Sequence, residues 1–396
     1  MKVALVCIAP LRDAGTVGGT YSAVLAEGLQ ADGVEVELWS RVCDEPHAPV
    51  GVPVLQVWRS GLFAWWDIVR AVRARKPDVV HFQHYFFVLG NSAAGEVSTI
   101  ALMFALALMR VRVVSTLHDV PGRAQITPAY VRMHSYRYPA WFIRLALGWT
   151  FRIVAGLSRK TIVHQAVFVD RLAELGVARE KIDVIAHMAL PSRPVERSAA
   201  RTELGLAADA QIVLFFGYAT GYKGIEELLA GFAVLAERGR RFVLVLGAGV
   251  HPKIFADPAY RAFYERLRAS ADALPNVEFV GFIESDRLDA YISAADAGIL
   301  PYVEYHGASG PMYFYLSHRR PVLVSEQIAD HTPELCAGAF ATTPDGIATA
   351  VERFFDDPSL GAAIVEASEL LRESVFANEY VELTRAAYDQ AVRESE

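Results

Sequence analysis

One pattern constrains this chain more than any other. Short runs rich in valine and isoleucine, bounded by turn residues, alternate with sequence of helical spacing, and the whole series occurs twice. The first series opens with KVALVCIAP (2–10) and a helix from about Tyr21 to Asp32. It continues through VEVELWSRV (35–43), a helix near 63–75, DVVHFQHY (78–85), VRVVSTLHD (111–119), TIVHQA (161–166) and KIDVIAH (181–187). Strands apolar on both faces and separated by helices belong to a parallel sheet covered on both sides. The polar, proline-bearing PSRPVERSAA (191–200) interrupts the series, and QIVLFFGYA (211–219) restarts it. A helix from Ile225 to Arg238 follows, then FVLVLGAG (242–249), VEFVGFI (277–283), AGILPYV (297–303) and RPVLVS (320–325). The expected fold class is α/β, with two Rossmann-like parallel-sheet domains facing a cleft. A chain of 396 residues is long enough for two cores, and no short-period repeat suggests a solenoid or propeller.

Composition excludes several classes. An apolar fraction of 53% with 21% charged residues is that of a globular chain and not a disordered one. A net charge of −7 argues against a nucleic-acid partner. The three cysteines, Cys7, Cys43 and Cys336, are far apart with no CxxC pair, so neither a disulfide framework nor a zinc site is expected. Met1–Ala9 has no cleavage-site pattern and reads as a first strand, and the expected location is cytoplasmic. Thr99–Met109 is apolar but only about half the length of a membrane span, so a buried core helix is expected there.

In open parallel sheets, ligands bind beyond the carboxyl ends of the strands, so the strand-to-helix loops carry the chemistry. The loop AGTVGGTY (14–21) contains Gly18, Gly19 and Thr20, and lets a backbone approach a ligand at a helix N-terminus. Its spacing is not GxGxxG and no Walker lysine follows, so a dinucleotide or ATP site lacks its motif. In GYATGYKGIEELL (217–229), Lys223 sits on a glycine-flanked turn before a helix, where an ammonium suits a diphosphate. The plain alternative is a solvated lysine. In YVEYHGASGPMYFYLSHRRPV (302–322), Ser309 and Gly310 begin a helical run, while Glu304 and His306 stand just upstream as hydrogen-bonding groups for hydroxyls. His118 and Asp119 end the strand at 111–119. That histidine is either a donor or proton shuttle, or a satisfied structural group. His81 and His84 read as wall residues near the acceptor side, and the histidine spacing fits no metal pattern.

Taken in order, these segments resemble the retaining glycosyltransferases of family four, which have the GT-B fold. The resemblance runs through GGTY (18–21), DGVEVELWS (32–40), STLHDV (115–120), KIDVIAHMAL (181–190), GYKGIEELLAGFAVL (221–235), VEFVGFIESDRLDAYISAADAGILPY (277–302) and RRPVLVS (319–325). It implies an N-terminal acceptor-side domain over 1–192, a donor domain over 193–375, and a terminal helix over 376–396 that crosses back to the first domain. It also implies sugar transfer from a nucleotide-diphosphate sugar, taken as co-substrate, with retention of configuration and no metal or cofactor. Lys223, Glu304 and His118 would be catalytic. Gly19, Gly217, Tyr218, Phe282, Ile283, His306, Ser309 and Gly310 would bind the donor with Lys223. Gly18, Thr20, His84 and Asp119 would lie on the acceptor side.

The chain departs from the family pattern at two places. Members usually carry two glutamates before the PV strand, and counting back from Pro321 puts His306 and Phe314 at those positions. Phenylalanine cannot accept a hydrogen bond from ribose, so that role is moved or lost, with Glu304 as a stand-in for the first glutamate. The arginine that usually precedes the phosphate lysine is replaced by Tyr218 or Thr220. Two rival readings therefore stand beside transfer: a nucleotide-sugar epimerase on the same fold, and a non-catalytic sugar-nucleotide-binding or partner subunit.

Between 110 and 160 the basic residues include Arg110, Arg112, Arg123, Arg132, Arg137, Arg144, Arg152, Arg159 and Lys160, and Asp119 is the only acid. Trp141, Phe142, Trp149 and Phe151 interleave with them. Peripheral contact with an anionic membrane is one expectation; core aromatics beneath a solvated basic face is the other.

Overall fold

The computed structural model describes residues 1–8, 17–44, 50–85, 88–90, 93–133, 136, 138–188, 192–251, 254–305, 307, 309–375 and 377–393. The chain forms two compact units. Unit 1 is Met1–Leu190 with His306–Ala308 and Val375–Glu396; unit 2 is Pro191–Tyr305 with Ser309–Ser374.

Unit 1 runs β1 (Lys2–Val6), α1 (Val17–Ala31), β2 (Glu35–Arg41), β3 (Val54–Trp58), α2 (Ala64–Arg75), β4 (Val79–His84), α3 (Ala93–Leu108), β5 (Val113–Leu117), α4 (Pro128–Met133), α5 (Ala140–Leu157), β6 (Lys160–Val163), α6 (Ala166–Glu174) and β7 (Ile182–Val184). Unit 2 runs α7 (Arg197–Leu204), β8 (Ile212–Tyr218), α8 (Ile225–Glu237), β9 (Val243–Gly249), α9 (Pro258–Asp272), β10 (Val277–Phe279), α10 (Ser285–Ala294), β11 (Ala297–Leu300), α11 (Gly310–Ser317), β12 (Val322–Ser325), α12 (Glu326–Ala329), β13 (Ala339–Phe340), α13 (Pro344–Asp356) and α14 (Pro358–Ser374). The last helix, α15 (Ala377–Arg393), returns to unit 1.

Both sheets are parallel throughout, with strand orders β3-β2-β1-β4-β5-β6-β7 and β10-β9-β8-β11-β12-β13. These are two Rossmann-like units. In each the order reverses beside the first strand, between β1 and β4 and between β8 and β11. That reversal opens a crevice at the carboxyl ends of those strands, the place where such sheets take ligands. The central strands β1, β4, β5, β8 and β11 are buried almost end to end, as a sheet covered on both faces demands. In unit 1, α2, α3 and α5 pack side by side on one face, and α1 and α15 on the other.

Four local differences from the sequence reading have physical causes. Strand β3 is not foreseen, because it is a short edge strand that buries only Trp58 fully. Helix α1 starts at Val17 and not near Tyr21, so Gly18, Gly19 and Thr20 form its first turn instead of a loop. Glycine is tolerated there, where backbone N–H groups have no intrahelical partner in any case. Helix α3 buries Leu102, Met103 and Leu106 but leaves Phe104 and Leu108 exposed, at 49% and 86%, so it is a half-buried helix and not a core one. Helix α5 is the one described helix long and apolar enough to cross a membrane by length and composition. Its Ile143, Leu147, Phe151 and Val154 are nevertheless buried in the unit 1 core.

Candidate active site

Lys223 is held where the sheet order of unit 2 reverses. Strand β8 ends at Gly217 and Tyr218, the chain makes a single 3₁₀ turn over Gly221–Lys223, and Gly224 opens α8. Gly224 has φ +64°, and a Cβ there would overlap the carbonyl oxygen of Pro301, at the end of β11. Only glycine lets these two segments meet so closely. Lys223 is thereby folded inward and is only 7% exposed. Its ammonium forms no hydrogen bond or ion pair with any described residue; Nζ lies 6.0 and 5.8 Å from the ring centres of Tyr222 and Tyr302. Burial without a counter-charge lowers its pKa from the usual lysine range to about 8. Nζ sits 2.5 Å from the point a Cβ on Gly217 would occupy, and Pro311, in the first turn of α11, is 3.9 Å from the same point.

The ammonium is therefore a close neighbour of the α11 N-terminus. Ser309 is the N-cap residue, yet its side chain makes no cap bond and instead meets the Tyr302 hydroxyl at 3.1 Å. The first N–H groups of α11, starting at Gly310, have no side-chain cap. An unpaired ammonium and an uncapped helix N-terminus together form an anion cradle. Glu304 is half-buried beside it, its backbone tied to the Tyr222 carbonyl, and burial raises its carboxyl pKa. His306 lies outside the described residues.

Next to the cradle is an aromatic ledge. Tyr218 and Phe282 stack at 5.7 Å with 13° between their planes, and His251 meets Tyr218 at 5.2 Å. The side chains of Phe282 and Ile283 lie on β9 where Gly249 and Gly247 have no Cβ, at 2.5 and 2.6 Å from those points. Phe282 stays 48% exposed, which leaves a π-face available. His251 escapes a reading of the sequence, since it lies past the end of β9 and enters only through this packing. Phe314 packs edge-on against Phe216 at 6.0 Å, so an apolar contact occupies the position where the family's second glutamate is expected.

In unit 1, β4 and the segments just after β5, β6 and β7 hold a buried histidine network. His81 Nδ1 is 2.6 Å from the Tyr388 hydroxyl of α15, and its Nε2 is 2.8 Å from Thr116 Oγ1. The Gln83 amide spans His81 and His118, at 3.2 and 2.6 Å. His118 Nδ1 is 3.1 Å from His164 Nε2, and His164 Nδ1 is 3.0 Å from the Ile185 carbonyl. Burial lowers His81 to about 3 and His164 to about 4, and pushes His118 and His187 well below the usual range. Each neutral imidazole has one N–H, and that count decides the direction of the chain. The Gln83 oxygen accepts from His118 Nε2, and the Gln83 NH₂ donates to His81 Nε2. A neutral His81 then donates from Nδ1 to the Tyr388 hydroxyl oxygen. The Ile185 carbonyl accepts from His164 Nδ1.

This geometry matches the structural alternative given for His118. It is 4% exposed, stacks on Tyr85 at 3.9 Å, and has both ring nitrogens in hydrogen-bond contact with other side chains. His84 is no acceptor-side wall. It is 2% exposed, points to Phe151 of α5, and burial holds it near 4. Asp119 stands next to the network, bridged to Gly307, and burial raises its carboxyl to about 6. Thr20 is half-buried and Gly19 buried in the first turn of α1. The described residues contain no cluster of histidine, cysteine and acidic side chains able to hold a metal.

The histidines make acid the weak side of unit 1. Their folded pKa values lie below the unfolded value, so the unfolded chain takes up protons first as pH falls through about 6.5. Full stability is therefore expected above that pH, with a steep loss between about 6.5 and 4 that urea midpoints across that range will show. A flat profile there would contradict neutral burial.

Residues 18–188 match the family model Glycosyltransferase Family 4, and residues 196–309 match the model Glycosyl transferases group 1. The chain belongs to glycosyltransferase family four and has the GT-B fold. The 2-deoxystreptamine glucosyltransferase of Streptomyces kanamyceticus is 27% identical over 222 residues, 53% of this chain and 54% of that protein. The alignment thus spans about half the length of that relative. Among solved structures, the sucrose-phosphate synthase of Thermosynechococcus elongatus superposes with a TM-score of 0.73 at 18% identity, covering 100% of both chains. HepE of Anabaena, solved with UDP and glucose, gives 0.67 at 14% identity, over 98% of this chain and 100% of that one.

Proposed function

We propose that this protein transfers a hexose from a nucleotide-diphosphate sugar to an acceptor hydroxyl, with retention of anomeric configuration. The observation that carries the reading is Lys223: a buried ammonium with no counter-ion among the described residues, beside the uncapped N-terminus of α11. That pair suits a diphosphate better than a neutral group, because the desolvated cation is stabilised only when an anion arrives. As the donor's glycosidic bond lengthens, charge grows on the leaving diphosphate, and Lys223 with the Gly310 N–H stabilises it. The acceptor hydroxyl attacks the oxocarbenium-like sugar from the face the diphosphate is leaving, and its proton passes to a diphosphate oxygen. The ledge of Tyr218 and Phe282 takes the base by stacking. Glu304 accepts hydrogen bonds from the donor's hydroxyls, and Asp119 belongs to the acceptor side.

HepE binds UDP, which makes uridine the first base to try. The three cysteines form no disulfide among the described residues, which suits a reducing compartment, so the location in this reading is cytoplasmic, with the basic, aromatic α5 in contact with a membrane. A thermal-shift screen of UDP, GDP, ADP, CMP and dTDP tests the donor site. One diphosphate is expected to raise the melting temperature, and Phe282→Ala to weaken that shift by removing a stacking face worth roughly 1 kcal/mol. Silence across the panel from folded protein would sink the reading.

A further inference from the structure

The outer face of unit 1 carries a feature that the donor site does not explain. Helix α5 turns Trp141, Leu145 and Trp149 outward, at 65%, 52% and 54% exposure, and their i, i+4, i+8 spacing makes one apolar stripe. No acid occurs on α5. Between α5, the segment after β5 and the end of α6 lies a pocket of about 280 Å³, lined by Arg123, Arg144, Arg152 and Arg171, with Glu174 as the only acid among the described lining residues. Three of these guanidiniums are braced by backbone carbonyls: Arg144 donates to Ile126 at 2.7 Å, Arg152 to Leu175 at 2.9 Å and Arg171 to Val120 at 2.7 Å. Bracing by a neutral carbonyl fixes the fork without cancelling its charge at Arg144 and Arg152, whereas Arg171 also interacts with the Glu174 carboxylate. Trp149 and Leu145 belong to both the pocket wall and the stripe, so the cationic and apolar surfaces are continuous.

We propose that this pocket binds the phosphate of an anionic phospholipid in a bilayer, with the α5 stripe seated in the membrane interface. Pre-oriented guanidiniums match phosphate oxygens in bidentate fashion. Exposed tryptophans prefer the headgroup level, where the ring is dry and the indole N–H wet. A local surplus of arginine on a chain of net charge −7 is the complement of an acidic surface. A free phosphate would satisfy the arginines but gives no role to the stripe, so the lipid is the occupant. The proposal deepens the membrane contact in the functional reading and does not depend on the donor site.

The test is co-sedimentation of the full chain with phosphatidylcholine vesicles, with and without phosphatidylglycerol. Binding is expected to be at least about tenfold tighter with phosphatidylglycerol and to weaken with salt. Arg123→Glu with Arg144→Glu should lose that preference, and Trp141→Ser with Trp149→Ser should weaken binding to both vesicle types. Arg266→Glu, an exposed charge on α9, should behave as the parent. UDP thermal shifts on the same variants report folding and the donor site separately. Equal binding to both vesicles would overturn the proposal, as would an equal loss in Arg266→Glu. Release from vesicles by millimolar inorganic phosphate, with the tryptophan pair unaffected, would assign the pocket to a soluble phosphate instead.

Discussion

Lys223→Ala is expected to lower turnover by about 10²–10³-fold, the usual cost of removing one preorganised group that meets developing charge. Nucleotide affinity should fall much less, because a resting diphosphate is also held by the α11 N–H groups. The growing charge of a leaving group makes the larger demand. Equal losses in turnover and affinity would place Lys223 in ground-state binding only. Lys223 gives the site a second signature. With a pKa of about 8, the ammonium is partly deprotonated in the free protein at mildly alkaline pH, and a bound diphosphate restores the proton. UDP binding at such pH should therefore take up protons, and affinity should decline as pH rises through about 8. Calorimetry in buffers of different ionisation enthalpy measures the uptake, and Lys223→Ala should abolish it.

The largest effect on stability is expected from Gly224→Ala. Its φ of +64° is unfavourable for any residue with a Cβ, and here that atom would also overlap the Pro301 carbonyl oxygen. Backbone has to move, not a flexible side-chain tip, so a loss of about 3 kcal/mol or more is expected. That corresponds to roughly 6–12 °C in the melting temperature of a domain this size. UDP should protect the variant poorly, because the same shift moves Lys223 away from α11. A near-parental melting temperature would mean that the β8 and β11 loops give way easily.

The fold was legible because burial on both faces of a parallel sheet leaves an unbroken apolar signature, and β1, β4, β5, β8 and β11 all carry it. β3 escaped because an edge strand that buries one tryptophan need not alternate or run apolar. Lys223, Ser309 and Gly310 were legible because glycine turns and helix starts are local in sequence. The histidine network was not. Its meaning depends on side chains 307 positions apart, such as His81 and Tyr388, and on proton counts that no spacing reveals. A histidine ending a strand looks the same in sequence whether its nitrogens are free or both taken, which is why His118 reads as catalytic and is found engaged.

Helix α15 also bears on how this chain is made. Tyr388 completes the hydrogen-bonded chain at the end of the unit 1 sheet, and α15 covers α1 and the β4–β6 strands. The main body of unit 1 ends at Leu190, whereas α15 begins about 185 residues later, on the order of 10–40 s at ordinary rates of synthesis. Unit 2 is contiguous apart from one three-residue excursion and is complete before α15 emerges. The half of the molecule that is translated first is thus the half that finishes folding last. During that interval its histidine-lined surface is open to chaperones and proteases.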